Sequence, residues 1–318
     1  MIGMDIGFGD VKVAYLDGVE IKAFKFSNAI RLKQGSMLDA EASEYEFLGK
    51  SFIVTPNPHV NNMPTTTIDY LMRYSPLLAY RALKGPEMKD AVIKGNKIAV
   101  GLPIGYFNEK YKTELVNGLT RVIVNKDVID SAVSVLPQAV GILFDFRLNE
   151  KGRSIKGTDI DGVILDVGYN TVDVVIMEKG EAVGDESDML PGAGITWAVQ
   201  ALQKVLKERW AGYNTSDQLC KEALLTRSIR FQGEVVDLSI KIDEIMENYI
   251  EHLKYLIDSK WGKYINSSEK LIVAGGGAYY LKANQHLLPE SFQKVLHVPE
   301  APEFSNARGY LKSLLIRG

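Results

Sequence analysis

Two stretches of the chain share one pattern of apolar and polar positions. In the first, the apolar residues 163–165 and 174–176 flank a polar segment, DVGYNTVD at residues 166–173. Short apolar runs on either side of a glycine-containing turn predict a strand, a tight turn and a second strand. The other stretch, DIGFGDVK at residues 5–12, precedes the apolar residues 13–15 and predicts the same hairpin near the N-terminus.

These two hairpins align residue by residue. The paired positions are Asp5 with Asp166, Gly7 with Gly168, Phe8 with Tyr169, Val11 with Val172 and Lys12 with Asp173. Backbone N–H groups of such a turn can face a phosphate, and carboxylates at its ends can hold the hydrated metal ion that accompanies the phosphate. The internal repeat therefore predicts two related phosphate-binding hairpins, one opening each half of the chain.

Between and after the hairpins, the pattern alternates between strands and helices. Helical spacing of apolar residues predicts helices near 70–84, 106–122, 196–210, 216–225, 237–260 and 306–315. Buried apolar runs predict strands near 98–103, 131–136 and 271–274. Ile240 is expected on the buried face of the long helix at 237–260.

Prolines restrict two further segments. Residues 28–68 are polar and contain Pro56, Pro58 and Pro64, so short strands and loops are expected there. A helix that begins at Pro137 would place Gln138 in its first turn, where a proline without N–H costs little. The whole pattern predicts an α/β fold with two related domains that flank a cleft.

Composition and charge narrow the class of protein. The chain has 318 residues, of which 46% are hydrophobic and 24% charged, which is ordinary for about two globular domains. A net charge of -3 provides no basic field for direct binding of nucleic acid. The single cysteine, Cys220, excludes an internal disulfide, and no apolar stretch is long enough to span a membrane. With no signal peptide at the N-terminus, we expect a soluble, cytoplasmic protein.

The motifs, taken together, resemble those of the actin-like ATPase superfamily. Residues 5–12 and 166–173 resemble its two phosphate motifs, 272–278 its adenosine motif, 137–140 its first connecting helix and 306–310 its returning C-terminal helix. Within the superfamily, the chain resembles ParM/StbA-type plasmid-segregation proteins and their archaeal or phage relatives; LPIGYF at residues 102–107 is part of this likeness. Each motif is weak alone, but their joint occurrence in the family's order is specific.

The resemblance implies a fold and its division into domains. The fold would be the actin-like ATPase fold, with two ribonuclease H-like α/β domains flanking a nucleotide cleft. Domain I would comprise residues 1–148, with the helix at 304–318 returning to it, and domain II residues 149–303.

It also implies a nucleotide site of ATP with Mg2+, with GTP left open as an alternative. Phosphate contacts are expected from Asp5, Gly7, Phe8, Gly9, Asp10 and Lys12 in the first hairpin, and from Gly168, Tyr169, Asn170 and Thr171 in the second. The adenosine contacts are expected from Lys221, Glu222, Gly275, Gly276, Gly277 and Tyr279. Asn170 departs from the family's commoner glycine at that position.

Asp5 and Asp166 are the expected metal-binding residues, mostly through water molecules, because Mg2+ gives up its hydration shell reluctantly. Gln138 is the expected residue that orients the attacking water, with Asp166 and Asp173 as further catalytic residues. Each side chain also has a simpler interpretation. One aspartate could stabilise only its own turn, Lys12 could face solvent on its strand, and Gln138 could be a polar residue at a helix start.

The expected function is an ATPase that polymerises into filaments, for plasmid or other DNA segregation. Its expected partners are further copies of the chain and a DNA-binding adaptor protein, without direct contact to nucleic acid or membrane. Two alternatives with the same fold remain open. The chain could be a small-molecule kinase, or a regulatory ATPase that forms no filaments.

Overall fold

The computed structural model describes residues 1–33, 43–54, 63, 65, 67–88 and 97–316. Pro56, Pro58 and Pro64, on which the expectation for residues 28–68 partly rested, lie outside the described residues.

In the described part of the first half, six strands precede the first helix. The elements are β1 Ile2–Ile6, β2 Asp10–Asp17, β3 Glu20–Ser27, β4 Ile30–Leu32, β5 Glu44–Phe47, β6 Lys50–Val54, α1 Ile68–Lys84, β7 Lys97–Leu102, α2 Glu109–Thr120, β8 Arg121–Val124, β9 Asp127–Asp130, β10 Ala132–Pro137 and α3 Val140–Arg147.

The second half contains the longest helix. Its elements are β11 Gly162–Val167, β12 Thr171–Glu178, β13 Glu181–Pro191, α4 Thr196–Arg209, α5 Asp217–Thr226, β14 Ser228–Phe231, β15 Glu234–Asp237, α6 Ser239–Ser267, β16 Lys270–Ala274, α7 Ala278–Ala283, α8 Glu290–Val295, β17 Leu296–His297 and α9 Ser305–Ile316.

The chain divides into two compact units. Unit 1 consists of Met1–Asp159 and Glu303–Gly318, and unit 2 of Ile160–Pro302. Residues 149–159, which the sequence analysis assigned to domain II, lie in unit 1. They fold back on the end of α3 through a bridge between Leu148 and Ser154 and a hydrogen bond from Ile155 N to Arg147 O of 2.8 Å.

Each unit contains a five-stranded sheet with the same topology. The order is β3-β2-β1-β7-β10 in unit 1 and β13-β12-β11-β16-β17 in unit 2. In each sheet, three strands that are consecutive in sequence form an antiparallel meander. The other two strands run parallel to the central strand, which is β1 in unit 1 and β11 in unit 2. The internal repeat is thus a repeat of structure, and the predicted α/β fold with two related domains is confirmed.

The central strands β1 and β11 are buried along their whole length. Strands covered on both faces favour continuous apolar sequence, which explains the apolar runs of the repeat. In unit 1, α9 lies directly on β1. A Cβ at Gly3 would come within 1.9 Å of Ala307 O, so glycine is required for this close approach.

Unit 2 has its core beneath α6, whose buried residues include Tyr249 and Trp261. Ile240, expected on this buried face, is 79% exposed, so that prediction is wrong. It precedes the buried Ile242 by two residues, which places it about 200° away around the helix.

The sequence predicted Gln138 in the first turn of a helix, and this prediction is wrong. Pro137 is the last residue of β10, paired with Leu102 of β7, and α3 begins only at Val140. Between them Ala139 adopts a left-handed conformation, with φ 63° and ψ -28°. Because this residue breaks the helical path, Gln138 lies in a turn between strand and helix.

Candidate functional site

The first hairpin of the repeat joins β1 to β2 in unit 1. Gly7 N donates to Asp10 O at 3.1 Å and closes the turn. Asp5 and Lys12 lie opposite each other in the antiparallel register, and Lys12 Nζ is 3.5 Å from Asp5 Oδ2. The turn therefore has a buried carboxylate and an ammonium group side by side at its base.

Donors behind this turn fix its carbonyl groups. The three hydrogen bonds are Asn28 Nδ2 to Gly7 O at 2.6 Å, Thr65 Oγ1 to Phe8 O at 2.6 Å and Asn28 N to Gly9 O at 3.2 Å. In a trans peptide the N–H points opposite to the C=O. The N–H groups of Phe8, Gly9 and Asp10 are therefore directed away from these donors, as a phosphate-binding turn requires.

The Phe8 side chain takes no part in this arrangement. It is 6% exposed and belongs to the core of unit 1. Phe8 can therefore contribute only its backbone to a ligand.

The second hairpin, between β11 and β12 in unit 2, repeats this geometry. Gly168 N donates to Thr171 O at 2.9 Å, at the positions equivalent to Gly7 and Asp10. Three backbone amides at and just before the start of α4 donate hydrogen bonds to its three carbonyls. The hydrogen bonds are Ile195 N to Gly168 O at 3.2 Å, Thr196 N to Tyr169 O at 2.9 Å and Gly194 N to Asn170 O at 3.3 Å. The N–H groups of residues 169–171 consequently point the other way.

Each unit thus fixes its turn with different donors. Unit 1 uses two polar side chains and one amide. Unit 2 uses three consecutive backbone amides, of which two precede α4 and one, that of Thr196, is its first residue and has no partner within the helix. Because a Cβ at Gly194 would lie 2.4 Å from Tyr169 O, glycine is needed where α4 approaches the turn.

Charge distinguishes the two hairpins. Asp166 and Asp173 face each other across the strands at the positions of Asp5 and Lys12, and they are 7% and 1% exposed. Thr171 Oγ1 lies 3.5 Å from Asp173 Oδ2. Like charges directly opposite each other in a sheet repel. A cation bound near this pair would offset that repulsion.

Gln138 reaches the first hairpin through its side chain. Its Nε2 donates to Asp5 Oδ1 at 3.0 Å, and the residue is 7% exposed. The structure thus brings together Gln138, Asp5 and Lys12 within unit 1, although Gln138 lies in a turn instead of a helix. With Nε2 used by Asp5, Oε1 is the amide atom that can accept a hydrogen from a water molecule.

The glycine triplet follows β16 and packs against the second hairpin. Gly277 N donates to Val167 O at 2.7 Å. Gly275 has φ +80°, and a Cβ there would lie 2.4 Å from Asp166 Oδ1. At Gly276, by contrast, a Cβ would meet nothing within 4 Å. Gly275 and Gly277 are required by the packing of unit 2, and Gly276 offers an open backbone surface.

The start of α5 contacts the side chain of Tyr169. The Tyr169 hydroxyl donates to Asp217 Oδ2, and Lys221 Nζ lies 4.1 Å from the centre of the ring. Burial, followed by the hydrogen bond to Asp217, raises the pKa of Tyr169 well above its ordinary value, so the phenol stays protonated. These contacts fix Lys221 beside the second hairpin.

Two of the predicted adenosine contacts are on the surface of unit 2. Tyr279 is 36% exposed and Glu222 is exposed. The neighbouring Tyr280 is buried, and its hydroxyl lies 3.4 Å from Lys221 O. Tyr279 is therefore the tyrosine of the pair whose ring is accessible to a ligand.

Sequence reasoning missed the groups that hold the two turns. Asn28 and Thr65 are polar residues in a segment without regular apolar spacing, and nothing in the sequence separates them from neighbouring polar residues. Asp217 offered one signal: it follows Ser216, whose side chain caps α5 by accepting from Leu219 N, so the residue was predictable at the start of a helix.

A metal site built from protein side chains alone does not occur in the part of the chain that the structure describes. No group of three or more His, Cys, Asp or Glu side chains there could hold a metal ion. The groups near the hairpins are carboxylate and hydroxyl oxygens, which suit Mg2+ when water and phosphate complete its coordination. Among the described helices, none has the length and apolar character needed to cross a membrane.

Comparison with known proteins gives the family. A model for the N-terminal domain of actin-like proteins matches residues 3–141, and a model for the C-terminal part of the archaeal actin homologue MreB-like matches residues 164–286. The sequence matches none of the curated proteins.

Solved structures of three relatives have the same fold. An archaeal actin homolog, Ta0583, in complex with ADP is 21% identical with a TM-score of 0.74, covering 100% of this chain and 99% of its own. The subunit of a 15-stranded ParM filament from Clostridium botulinum is 20% identical with a TM-score of 0.75, and the match covers 100% of this chain and 99% of that subunit. Bacillus thuringiensis ParM with ATP is 16% identical with a TM-score of 0.69, and the match covers 100% of this chain and 98% of that protein. With both halves matched in order and the fold shared, the chain belongs to the actin-like ATPase superfamily.

Proposed function

We propose that this protein binds ATP with Mg2+ and hydrolyses it, and that the bound nucleotide controls its assembly into filaments. The observation that carries the proposal is the repeated hairpin. In each unit, three carbonyls are held from behind and three N–H groups are directed to the opposite side. Two such turns in one chain suit a ligand with several phosphate groups.

Each hairpin would contact the phosphates of one nucleotide. Lys12 supplies a point charge for the β- and γ-phosphate oxygens. Asp5 and Asp166 would hold Mg2+, mainly through its water molecules, and Asp173 adds negative charge beside Asp166. The metal ion neutralises charge on the phosphates when it is bound.

Gln138 would orient the water that attacks the γ-phosphorus. The water oxygen forms a bond to phosphorus while the bond to the bridging oxygen breaks, and the products are ADP, inorganic phosphate and a proton. Gln138 is fixed on Asp5 at 3.0 Å, so its Oε1 can accept one hydrogen of this water. Asp173 would accept the proton that leaves.

Adenosine would lie against the glycine triplet. Gly276 provides an open backbone surface, Tyr279 an accessible ring and Lys221 a cation beside Tyr169. Glu222 would bind the ribose. These contacts do not discriminate strongly between ATP and GTP, so GTP remains an alternative nucleotide.

Filament formation is supported by relatives of the same fold. One of them is the subunit of a 15-stranded ParM filament. Head-to-tail contacts between identical subunits produce open polymers when the rotation between neighbours does not close a ring. We propose the same kind of assembly here, in the cytoplasm, with plasmid or other DNA cargo bound through an adaptor protein because the chain is acidic.

The test combines ATP hydrolysis with sedimentation of the protein. We expect ATP with Mg2+ to drive the protein into the pellet, and Gln138→Ala to lower kcat about 100-fold while pelleting persists for longer. Lys12→Met should instead weaken nucleotide binding.

Each of the other outcomes points to a different function. Hydrolysis without pelleting over a wide range of protein concentrations would indicate a regulatory ATPase. Consumption of ATP only with an added metabolite would indicate a kinase.

A further inference from the structure

The turn that carries Gln138 contains a conformation that needs support. Ala139 has φ 63° and ψ -28° and is fully buried. An L-residue with a Cβ adopts the left-handed region at an energetic cost, and persists there when surrounding contacts determine it. Ala139 N belongs to the peptide group that follows Gln138, so a hydrogen bond to this N–H fixes the C-terminal side of the Gln138 backbone.

Strand pairing fixes one side of the Gln138 backbone. Its N donates to Leu102 O at 2.7 Å, which continues the pairing of β10 with β7. The strand therefore fixes the amide side of Gln138, while the direction in which the chain leaves depends on Ala139.

Asn306 holds the other side of this turn. Ala139 N donates to Asn306 Oδ1 at 3.1 Å. Asn306 is 3% exposed and lies in the first turn of α9. This bond gives the left-handed residue a buried acceptor that the turn itself does not provide.

The helix that carries Asn306 is firmly attached to α3. Arg308 donates to both carboxylate oxygens of Asp145, and Lys312 Nζ lies 2.7 Å from Asp145 Oδ1. A Cβ at Gly309 would lie 1.7 Å from Gly141 O, so the two helices are in close contact. The Asn306 amide is thus held in place relative to the turn.

We propose that Asn306 is a positioning residue that fixes Gln138 in its productive orientation by holding Ala139 in the left-handed conformation. The inference rests on the proposed role of Gln138 in hydrolysis. Asn306 itself touches no reacting atom, and its effect passes through Ala139 to the Gln138 side chain and its bond to Asp5.

If Asn306 served only to pack α9 against α3, its substitution would have a different effect. A Cβ at Gly141 would lie 2.7 Å from Asn306 Oδ1, so Asn306 also fills space between α3 and α9. If packing were its only role, its removal would lower stability without a specific loss of kcat.

The test replaces Ala139 by glycine, so that the left-handed conformation no longer needs the hydrogen bond to Asn306. Glycine adopts positive φ without the steric cost, so Ala139→Gly makes the turn independent of Asn306. Four proteins are compared: wild type, Asn306→Ala, Ala139→Gly and the double variant. We expect Asn306→Ala to lower kcat about tenfold with KM for ATP changed less than about twofold. In the Ala139→Gly background the same substitution should change kcat less than about threefold.

Failure of this inference and failure of the proposed function give different results. Equal losses of kcat from Asn306→Ala in both backgrounds, or a loss that only follows the melting temperature, would overturn the positioning role. Gln138→Ala is measured in the same series. Wild-type hydrolysis by that variant would instead refute the role of Gln138 itself. Where Asn306→Ala does not fold, Asn306→Ser keeps a small polar side chain that is too short to reach Ala139 N, and the same comparison applies.

Discussion

The two hairpins carry opposite charges at one equivalent position of the internal repeat. Lys12 and Asp173 occupy equivalent positions, and each faces an aspartate across its strand pair. In unit 1 the result is an ion pair, and in unit 2 it is a pair of buried carboxylates. The repeat therefore supplies one positively charged and one negatively charged contact from the same backbone geometry.

At the residue scale, the glycine triplet gives a test with its own control. Gly275→Ala would introduce a Cβ at φ +80°, 2.4 Å from Asp166 Oδ1, and should lower the stability of unit 2 by more than about 2 kcal/mol. Gly276→Ala should leave stability unchanged because its Cβ meets nothing within 4 Å, but should weaken nucleotide binding.

The measurement is urea denaturation followed by tryptophan fluorescence. Trp197, Trp210 and Trp261 all lie in unit 2, so the signal reports that unit alone. Equal stability of the two variants would contradict the assignment of Gly275 to packing.

At the element scale, strand β17 contains a histidine that makes unit 2 sensitive to acid. Burial, helped by the charge of Lys270, lowers the pKa of His297 below its ordinary value of 6.5. The unfolded chain then takes up a proton at higher pH than the folded chain. The contribution of His297 to stability is therefore present above pH 6.5 and is lost as the pH falls from 6.5 through the lower pKa of the folded protein.

The prediction is tested by urea midpoints from tryptophan fluorescence at about pH 7.5 and pH 5.5. The midpoint of wild type should fall at the lower pH. His297→Gln, which cannot take up this proton, should show a smaller difference between the two pH values. An identical difference in both proteins would assign the acid sensitivity to other groups.

Helix α9 gives a second prediction at this scale. Asp145 has a side-chain exposure of 7% and binds both Arg308 and Lys312. Removal of one member of a buried ion network leaves charge uncompensated, so Asp145→Asn should destabilise the docking of α9 by about 3 kcal/mol. Hydrogen exchange of residues 305–316 should rise accordingly.

The matched control is an exposed ion pair in the same unit. Arg121 and Asp130 have side-chain exposures of 63% and 67%. Asp130→Asn should change stability by less than about 0.5 kcal/mol and leave exchange of α9 unaltered. Similar effects of the two substitutions would show that burial does not decide the strength of these pairs.

Elements with strong periodicity were predictable from sequence, and elements defined by tertiary contacts were not. The hairpins of the repeat, α1, α4 and α9 lie where their apolar spacing predicted them. The short hairpins β8–β9 and β14–β15 were missed because four-residue strands carry too little alternation. Pro137 was assigned to a helix because its pairing with Leu102 depends on a distant strand.

The candidate site was predictable to a similar degree. The residues of both turns follow from the repeat, since backbone amides need only the glycine-containing pattern. The donors Asn28 and Thr65, and the acceptor Asn306, come from segments far away in sequence, so pattern alone could not connect them with the turns.

At the scale of the whole molecule, the proposed nucleotide should protect both hairpins at once. We expect ATP with Mg2+ to slow hydrogen exchange of residues 8–10 and 169–171, because these N–H groups are directed away from the donors that hold each turn. At ligand concentrations of about 100 Kd, binding should add about 2.7 kcal/mol to the stability of the folded chain.

Mass spectrometry of hydrogen exchange makes the comparison, with ATP in EDTA as the control for the metal ion. Asp166→Asn should reduce protection at both turns if, as proposed, one metal ion serves both. Protection confined to one hairpin would show that the two turns do not bind the same nucleotide.

The place of α9 in the chain affects how the protein is made. Unit 1 requires this helix over β1 and β7, yet residues 160–302 are synthesised between them. On the ribosome, the apolar face of β1 therefore stays uncovered until α9 emerges, while the intervening unit can already close its own core. We expect the newly made N-terminal segment to be the part of the chain that chaperones shield.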